Sequence, residues 1–130
     1  MRLLADHELS DAARAVFDDI RATRKSDFVN NFWRALAHDP VQLRQVWEEA
    51  KTVMAPGALD PMIKELLYIA ASVTNGCQYC IASHGAAARA KGMSEAHYME
   101  LMAVVGLANK TNRLAVGLQV PVDDAFKPLE

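Results

Sequence analysis

The chain has 130 residues, of which 52% are hydrophobic and 23% charged, and its formal net charge is −2. That length and apolar fraction fit one domain with a real core and exclude a disordered chain. With no basic cluster longer than Arg24-Lys25 and no apolar run near the roughly 18 residues that cross a bilayer, neither nucleic acid nor membrane is an expected partner. The first eight residues turn acidic at Asp6 and Glu8, too early for a secretory signal, so the expected compartment is the cytoplasm.

The pattern along the chain is helical. Ser10 to Arg24 places Ala12, Val16, Phe17 and Ile20 at helix spacing. A short helix follows over Asn31–Ala37, and Asp39-Pro40 then reads as a cap plus first-turn proline opening a helix to about Val53. Met54-Ala55-Pro56-Gly57 is a turn. Asp60-Pro61 repeats the cap-plus-proline signal and starts a helix through Val73 that is apolar nearly all round, hence expected to be buried. Thr74-Asn75-Gly76 interrupts it, Cys77 begins the next helix, and Gly92 stops that one. Ser94 caps a helix to about Ala108, Thr111–Leu118 makes the last, and Pro121 and Pro128 mark an irregular tail. The expectation is an all-α, single-domain bundle of about seven helices spanning residues 1–130.

Both cysteines of the chain lie in Cys77-Gln78-Tyr79-Cys80, with His84 one turn further on. In a reducing compartment an isolated Cys-x-x-Cys is catalytic or metal-binding more often than a structural staple. At about 100° per residue, Cys77, Cys80 and His84 fall within an arc of about 60° and form one stripe. An imidazole there can take or return a thiol proton, and a helix start supplies N–H groups that favour a thiolate. Ser83 points about 100° away from His84 and is the weaker participant. Glu65 is the sole acid between Asp60 and Glu95, on the most apolar helix. A buried carboxylate needs a partner, and His84 on the following helix is the nearest, giving a Glu65–His84–Cys80 relay. Cys80, expected to be deeper and nearer His84, is the expected attacking thiol that becomes a sulfenic acid, and Cys77, nearer the helix start and expected to be more exposed, the resolving one; the reverse assignment stays open.

The spacing Glu65-x11-Cys77-x2-Cys80-x3-His84, with its flanks Leu59-Asp60-Pro61-Met62-Ile63-Lys64 and Asn75-Gly76, resembles the active-site signature of the alkylhydroperoxidase D-like branch of the carboxymuconolactone decarboxylase superfamily. Ala90-Lys91-Gly92-Met93-Ser94 and Asn112-Arg113-Leu114-Ala115 are similar to later helix boundaries of that family, and the resemblance covers roughly residues 28 to 125. It implies an all-helical fold and reduction of a small hydroperoxide through a cysteine disulfide. It further implies an external thiol or dithiol reductant and a homo-oligomer, a trimer or a hexamer, with neither cofactor nor metal. The peroxidase members carry histidine where this chain has Tyr79. A phenol can hydrogen-bond in support but does not shuttle protons near neutral pH, which leaves the relay shorter.

Two other readings stand beside the peroxidase. One is a redox-sensing or disulfide-exchange module with little turnover; the other is a zinc site built from Cys77, Cys80, His84 and Glu65, although three ligands from two turns of one helix are awkward for a tetrahedral ion. Glu65 can also be a structural acid paired with Lys64 or with a neighbouring subunit's lysine. His38 reads as a helix-end residue, His97 and Tyr98 as first-turn surface or interface residues, and His7 as part of a mobile terminus. Trp33, Phe28 and Phe32 read as core or subunit contacts, and Met93, Met99 and Met102 as core filling. Asn112-Arg113 reads as a pair that caps or cross-links helices.

Overall fold

The computed structural model describes residues 1–127. Among them are six α-helices, two short 3₁₀ turns and no strand: α1 Asp11–Arg24, α2 Asn31–Leu36, α3 Pro40–Val53, α4 Pro61–Asn75, α5 Gln78–Ala90 and α6 Glu95–Gly117. The chain forms two compact units, Met1–Ala55 and the residues from Pro56 onward. Pro128 lies outside the described residues.

In the first unit the helix starts are set by local chemistry. Ser10 Oγ accepts from the Ala13 N–H at 3.2 Å, and the Asp39 carboxylate accepts from Val41 and Gln42 N–H, both at 3.1 Å, with Pro40 at the first helical position. Ala13, Val16, Phe17 and Ile20 of α1 then bury against Leu43 and Trp47 of α3 and Trp33 of α2. Trp33 and Trp47 meet edge to face at 5.4 Å. Trp33 thus belongs to the core, whereas Phe28 is exposed and Phe32 half covered. His7 sits in the Asp6–Glu8 turn, which is tied down rather than mobile. Asp6 accepts from Arg34 at 2.8 Å and is paired with Arg21, while Glu8 accepts from Arg2.

The second unit holds α4, α5 and α6. Asp60 accepts from the Met62 N–H at 2.8 Å, so α4 starts where the Asp-Pro pair says it should. It runs two residues beyond Val73 and ends at Gly76, whose φ of 72° only glycine adopts without cost. The Gly76 N–H bonds back to Val73 O, and the Cys77 N–H to Ser72 O at 2.9 Å, which closes the helix end and turns the chain directly into α5. Ile69, Ala88 and Met93 form the core of this unit, with Met62, Leu66, Val73, Tyr98, Leu101 and Met102 against it. Met99 is exposed instead.

Two expectations are corrected. The two last predicted helices are one helix of 23 residues, which leaves six α-helices among the described residues, near the expected seven. The polar run Asn109-Lys110-Thr111-Asn112 does not break it, because its side chains satisfy the backbone from within. Asn109 Nδ2 donates to Val105 O at 2.9 Å and to Thr74 Oγ1 at 3.0 Å, and Thr111 Oγ1 donates to Ala108 O. With no proline or C-terminal glycine in the run, nothing stops the helix. Second, α4 is not enclosed by its own chain: Glu65, Ile69 and Ser72 are buried, but Ile63, Leu67 and Tyr68 remain exposed.

Candidate active site

The tight turn from α4 into α5 sets the two cysteines. Cys77 is the N-cap of α5, and its Sγ accepts the N–H of Cys80 at 3.3 Å, the bond a serine or aspartate cap would make with oxygen. Cys80 therefore occupies the third helical position. Their Cα atoms are 5.4 Å apart and the two are joined as a disulfide. Both are half-buried, so exposure does not separate an inner sulfur from an outer one.

One turn on, His84 is buried except for 23% of its side chain, and its Nδ1 lies 2.7 Å from Oε2 of Glu65. The carboxylate is only 7% exposed, and its other oxygen, Oε1, accepts from Lys91 Nζ at 3.0 Å. The partner anticipated for Glu65 is thus the observed one, and the lysine that joins it is Lys91 of the same chain. Burial pushes the Glu65 pKa up; the hydrogen bonds from His84 and Lys91 and their charges pull it down and prevail, leaving it below the usual glutamate value. An ionised carboxylate only accepts. Nδ1 must then carry the proton, which leaves Nε2 as the basic nitrogen of neutral His84.

Tyr68, one turn from Glu65 on α4, lies flat over the imidazole, with ring centroids 3.6 Å apart and planes 19° from parallel. The ring is thereby held in its plane by Tyr68 and in its rotation by Glu65. Tyr79 stands in the first turn of α5 and is exposed. Ser83 is engaged with its own helix, its Oγ donating to Cys80 O. Among the described residues no three His, Cys, Asp or Glu side chains gather as a metal ion would need.

Of the four residues singled out from the sequence, the fold joins Cys77 to Cys80 and brings His84 into contact with Glu65. The residue-level reading missed Lys91 and Tyr68. Lys91 follows His84 by seven residues, two turns along the same stripe of α5, and Tyr68 follows Glu65 by three on α4; both spacings were available as signals. His97 is spent on its helix start, its Nδ1 accepting from the Ser94 N–H at 3.0 Å.

The family model of the carboxymuconolactone decarboxylase family matches residues 42–123. The chain belongs to that family. A crystal structure of an alkylhydroperoxidase AhpD core from Rhodospirillum rubrum is 56% identical over 97% of this chain and 95% of that one, with a TM-score of 0.92. No curated protein matches it. As a carboxymuconolactone decarboxylase family member of the AhpD-like branch, the chain has the all-helical fold of its relative and presents its Cys-x-x-Cys at the head of α5.

Proposed function

We propose that the protein is a thiol-dependent peroxidase that reduces small hydroperoxides through a Cys77/Cys80 dithiol–disulfide cycle. The observation that carries this reading is the cysteine pair at a helix start, followed one turn later by a histidine whose Nδ1 is fixed on a buried carboxylate. The likeness to an alkylhydroperoxidase core adds support for the substrate class.

In the cycle, Nε2 of His84 takes the Cys80 proton, directly or through water, and the Cys80 thiolate attacks the terminal oxygen of the hydroperoxide. The O–O bond breaks, Cys80 becomes a sulfenic acid, and the alkoxide leaves as the alcohol with the proton from His84. Cys77, whose sulfur receives the Cys80 N–H, attacks the sulfenic sulfur as a thiolate and expels hydroxide, which leaves as water. One thiol of an external dithiol attacks Cys77 and displaces Cys80, which regains its proton; the reductant's second thiol then displaces Cys77 from the mixed disulfide, and the reductant departs as its own disulfide. Glu65 holds the imidazole and stabilises it while it is charged. Tyr79 supports the site as a hydrogen-bonding neighbour, and no step runs through its proton.

A homo-oligomer, a trimer or a hexamer, belongs to the same proposal. Leu67 of α4 and Val104 and Leu107 of α6 are all more than half exposed, an apolar surface that a second copy would cover. The cytoplasm, where dithiol reductants are available, is the compartment the cycle calls for. The described residues contain no helix long and apolar enough to cross a membrane.

The test is a free-thiol count after one equivalent of cumene hydroperoxide is added to the reduced, metal-stripped protein. Loss of two thiols within seconds, abolished in Cys80→Ser, is the expected result. Thiols that persist for many minutes in the wild type would leave disulfide exchange or sensing as the better reading.

A further inference from the structure

Lys91 lies outside the cysteine–histidine–glutamate set, yet it reaches the same carboxylate. Its Nζ is 3.0 Å from Oε1 of Glu65 while His84 Nδ1 holds Oε2, so each oxygen has its own donor. We propose that Lys91 is a positioning residue of the thiol site: it clamps Glu65 as an oriented anion and so fixes His84 with its proton on Nδ1 and its lone pair on Nε2.

Three observations support this assignment. The Glu65 side chain is 7% exposed, and a carboxylate so placed with only an imidazole beside it tends to bind a proton. Once protonated it can donate as well as accept, and the imidazole is no longer confined to one tautomer. Next, the lysine is anchored. Its N–H bonds to Ala87 O and Ala88 O at the end of α5, and Gly92, at φ 102°, turns the chain away immediately after it. The cation therefore projects from a fixed point two turns along the His84 stripe, where it also faces the favourable end of the α5 dipole. Finally, the hydrogen bonds from His84 and Lys91 leave neither oxygen of the Glu65 carboxylate without a donor. Of the titratable groups on the packed helices, Tyr68 of α4 stacks on His84, Tyr98 of α6 packs in the Ile69–Ala88–Met93 cluster, and His97 is bonded to Ser94.

The consequence for turnover rests on the peroxidase reading, but the clamp itself is measurable without peroxide. Glu65 Cδ and the histidine ring nitrogens are followed by ¹³C and ¹⁵N NMR across pH in the reduced wild type, Lys91→Met and Lys91→Arg. Lys91→Gln, which keeps a polar side chain at this position, serves if Lys91→Met does not fold. In Lys91→Met the Glu65 titration is expected to rise by about one pH unit or more, and neutral His84 to become a mixture of tautomers. Lys91→Arg is expected to restore both. A Glu65 titration and a single Nδ1–H tautomer left unchanged in Lys91→Met and Lys91→Gln would overturn the assignment. Turnover of cumene hydroperoxide, measured in parallel, is expected to show kcat lowered about tenfold with KM unchanged in Lys91→Met. Wild-type thiols inert to the peroxide would sink the peroxidase reading alone, since the NMR comparison decides the role of Lys91 either way.

Discussion

Glu65 Oε2 and His84 Nδ1 stand 2.7 Å apart, joining the middle of one helix to the thiol-bearing helix that follows it. The bond fixes the ring rotation and, with Glu65 ionised, determines which nitrogen is free to act as a base. Everything proposed for the cysteine pair depends on that nitrogen.

Glu65→Gln tests it most directly. A neutral amide presents one oxygen where the carboxylate presents two, so His84 and Lys91 compete for it and the NH₂ faces a donor. Thiol oxidation by peroxide is expected to slow by about two orders of magnitude, the usual worth of a positioned base. Leaving a buried donor unsatisfied should cost about 1–3 kcal/mol of stability. Stopped-flow thiol loss and thermal denaturation check the two effects separately.

The pH dependence of stability follows from the same residue. Burial raises the Glu65 pKa, but the His84 and Lys91 interactions outweigh it and the folded value lies below the unfolded one of about 4.3. Between the two values the unfolded chain binds more protons, so stability rises with pH there. The contribution is fully present above about pH 4.3 and is lost as pH falls through the lower folded value. The melting-temperature gap between wild type and Glu65→Gln should therefore shrink as pH falls below about 4. Asp6, held low by hydrogen bonds from Arg34 and Arg21, acts in the same direction in both proteins and cancels in the difference. A gap that failed to shrink below about pH 4 would contradict the assignment.

Tyr68 has a different role, since it stacks on the face of the His84 ring. Tyr68→Phe keeps the stack and should match the wild type in turnover. Tyr68→Ala frees the ring to tilt and should lose several-fold in kcat and about 0.5–1.5 kcal/mol of stability, the worth of an aromatic pair. Equal loss in both variants would mean that the phenol oxygen, not the ring, is what matters.

What could be read without the fold was what is local. Asp39, Asp60 and Ser94 all cap the helices assigned to them, because a cap bonds to an N–H only two or three residues away. The head of α5 at the cysteine pair was legible for the same reason. Lys91 and Tyr68 were missed because each matters only through the packing of α4 against α5, and a lysine near a helix end or a tyrosine on an apolar helix has many ordinary uses. Met99 failed in the opposite direction: its hydrophobicity suggested cover that its own chain does not give it.

The continuity of α6 yields the last prediction. Asn109 and Thr111 have the composition of a break, yet their side chains bond to carbonyls at Val105 and Ala108, and the helix runs on to Gly117. If Lys110 lies mid-helix, proline there removes its N–H bond and drives the ring against the carbonyl of Gly106, at a cost of about 3 kcal/mol or more. In a linker between two helices the same substitution would be nearly neutral. Lys110→Pro, with Lys110→Ala as its control for the lost side chain, is therefore expected to lower the melting temperature sharply and to reduce helical circular dichroism. A proline variant as stable as its alanine control would restore the break between residues 108 and 111 and the count of seven helices. The Asn109–Thr74 bond, which pins this stretch of α6 to the end of α4 just before Gly76 and Cys77, makes the cysteine turn the place where damage should spread. Faster alkylation of Cys77 in the reduced proline variant would show that it does.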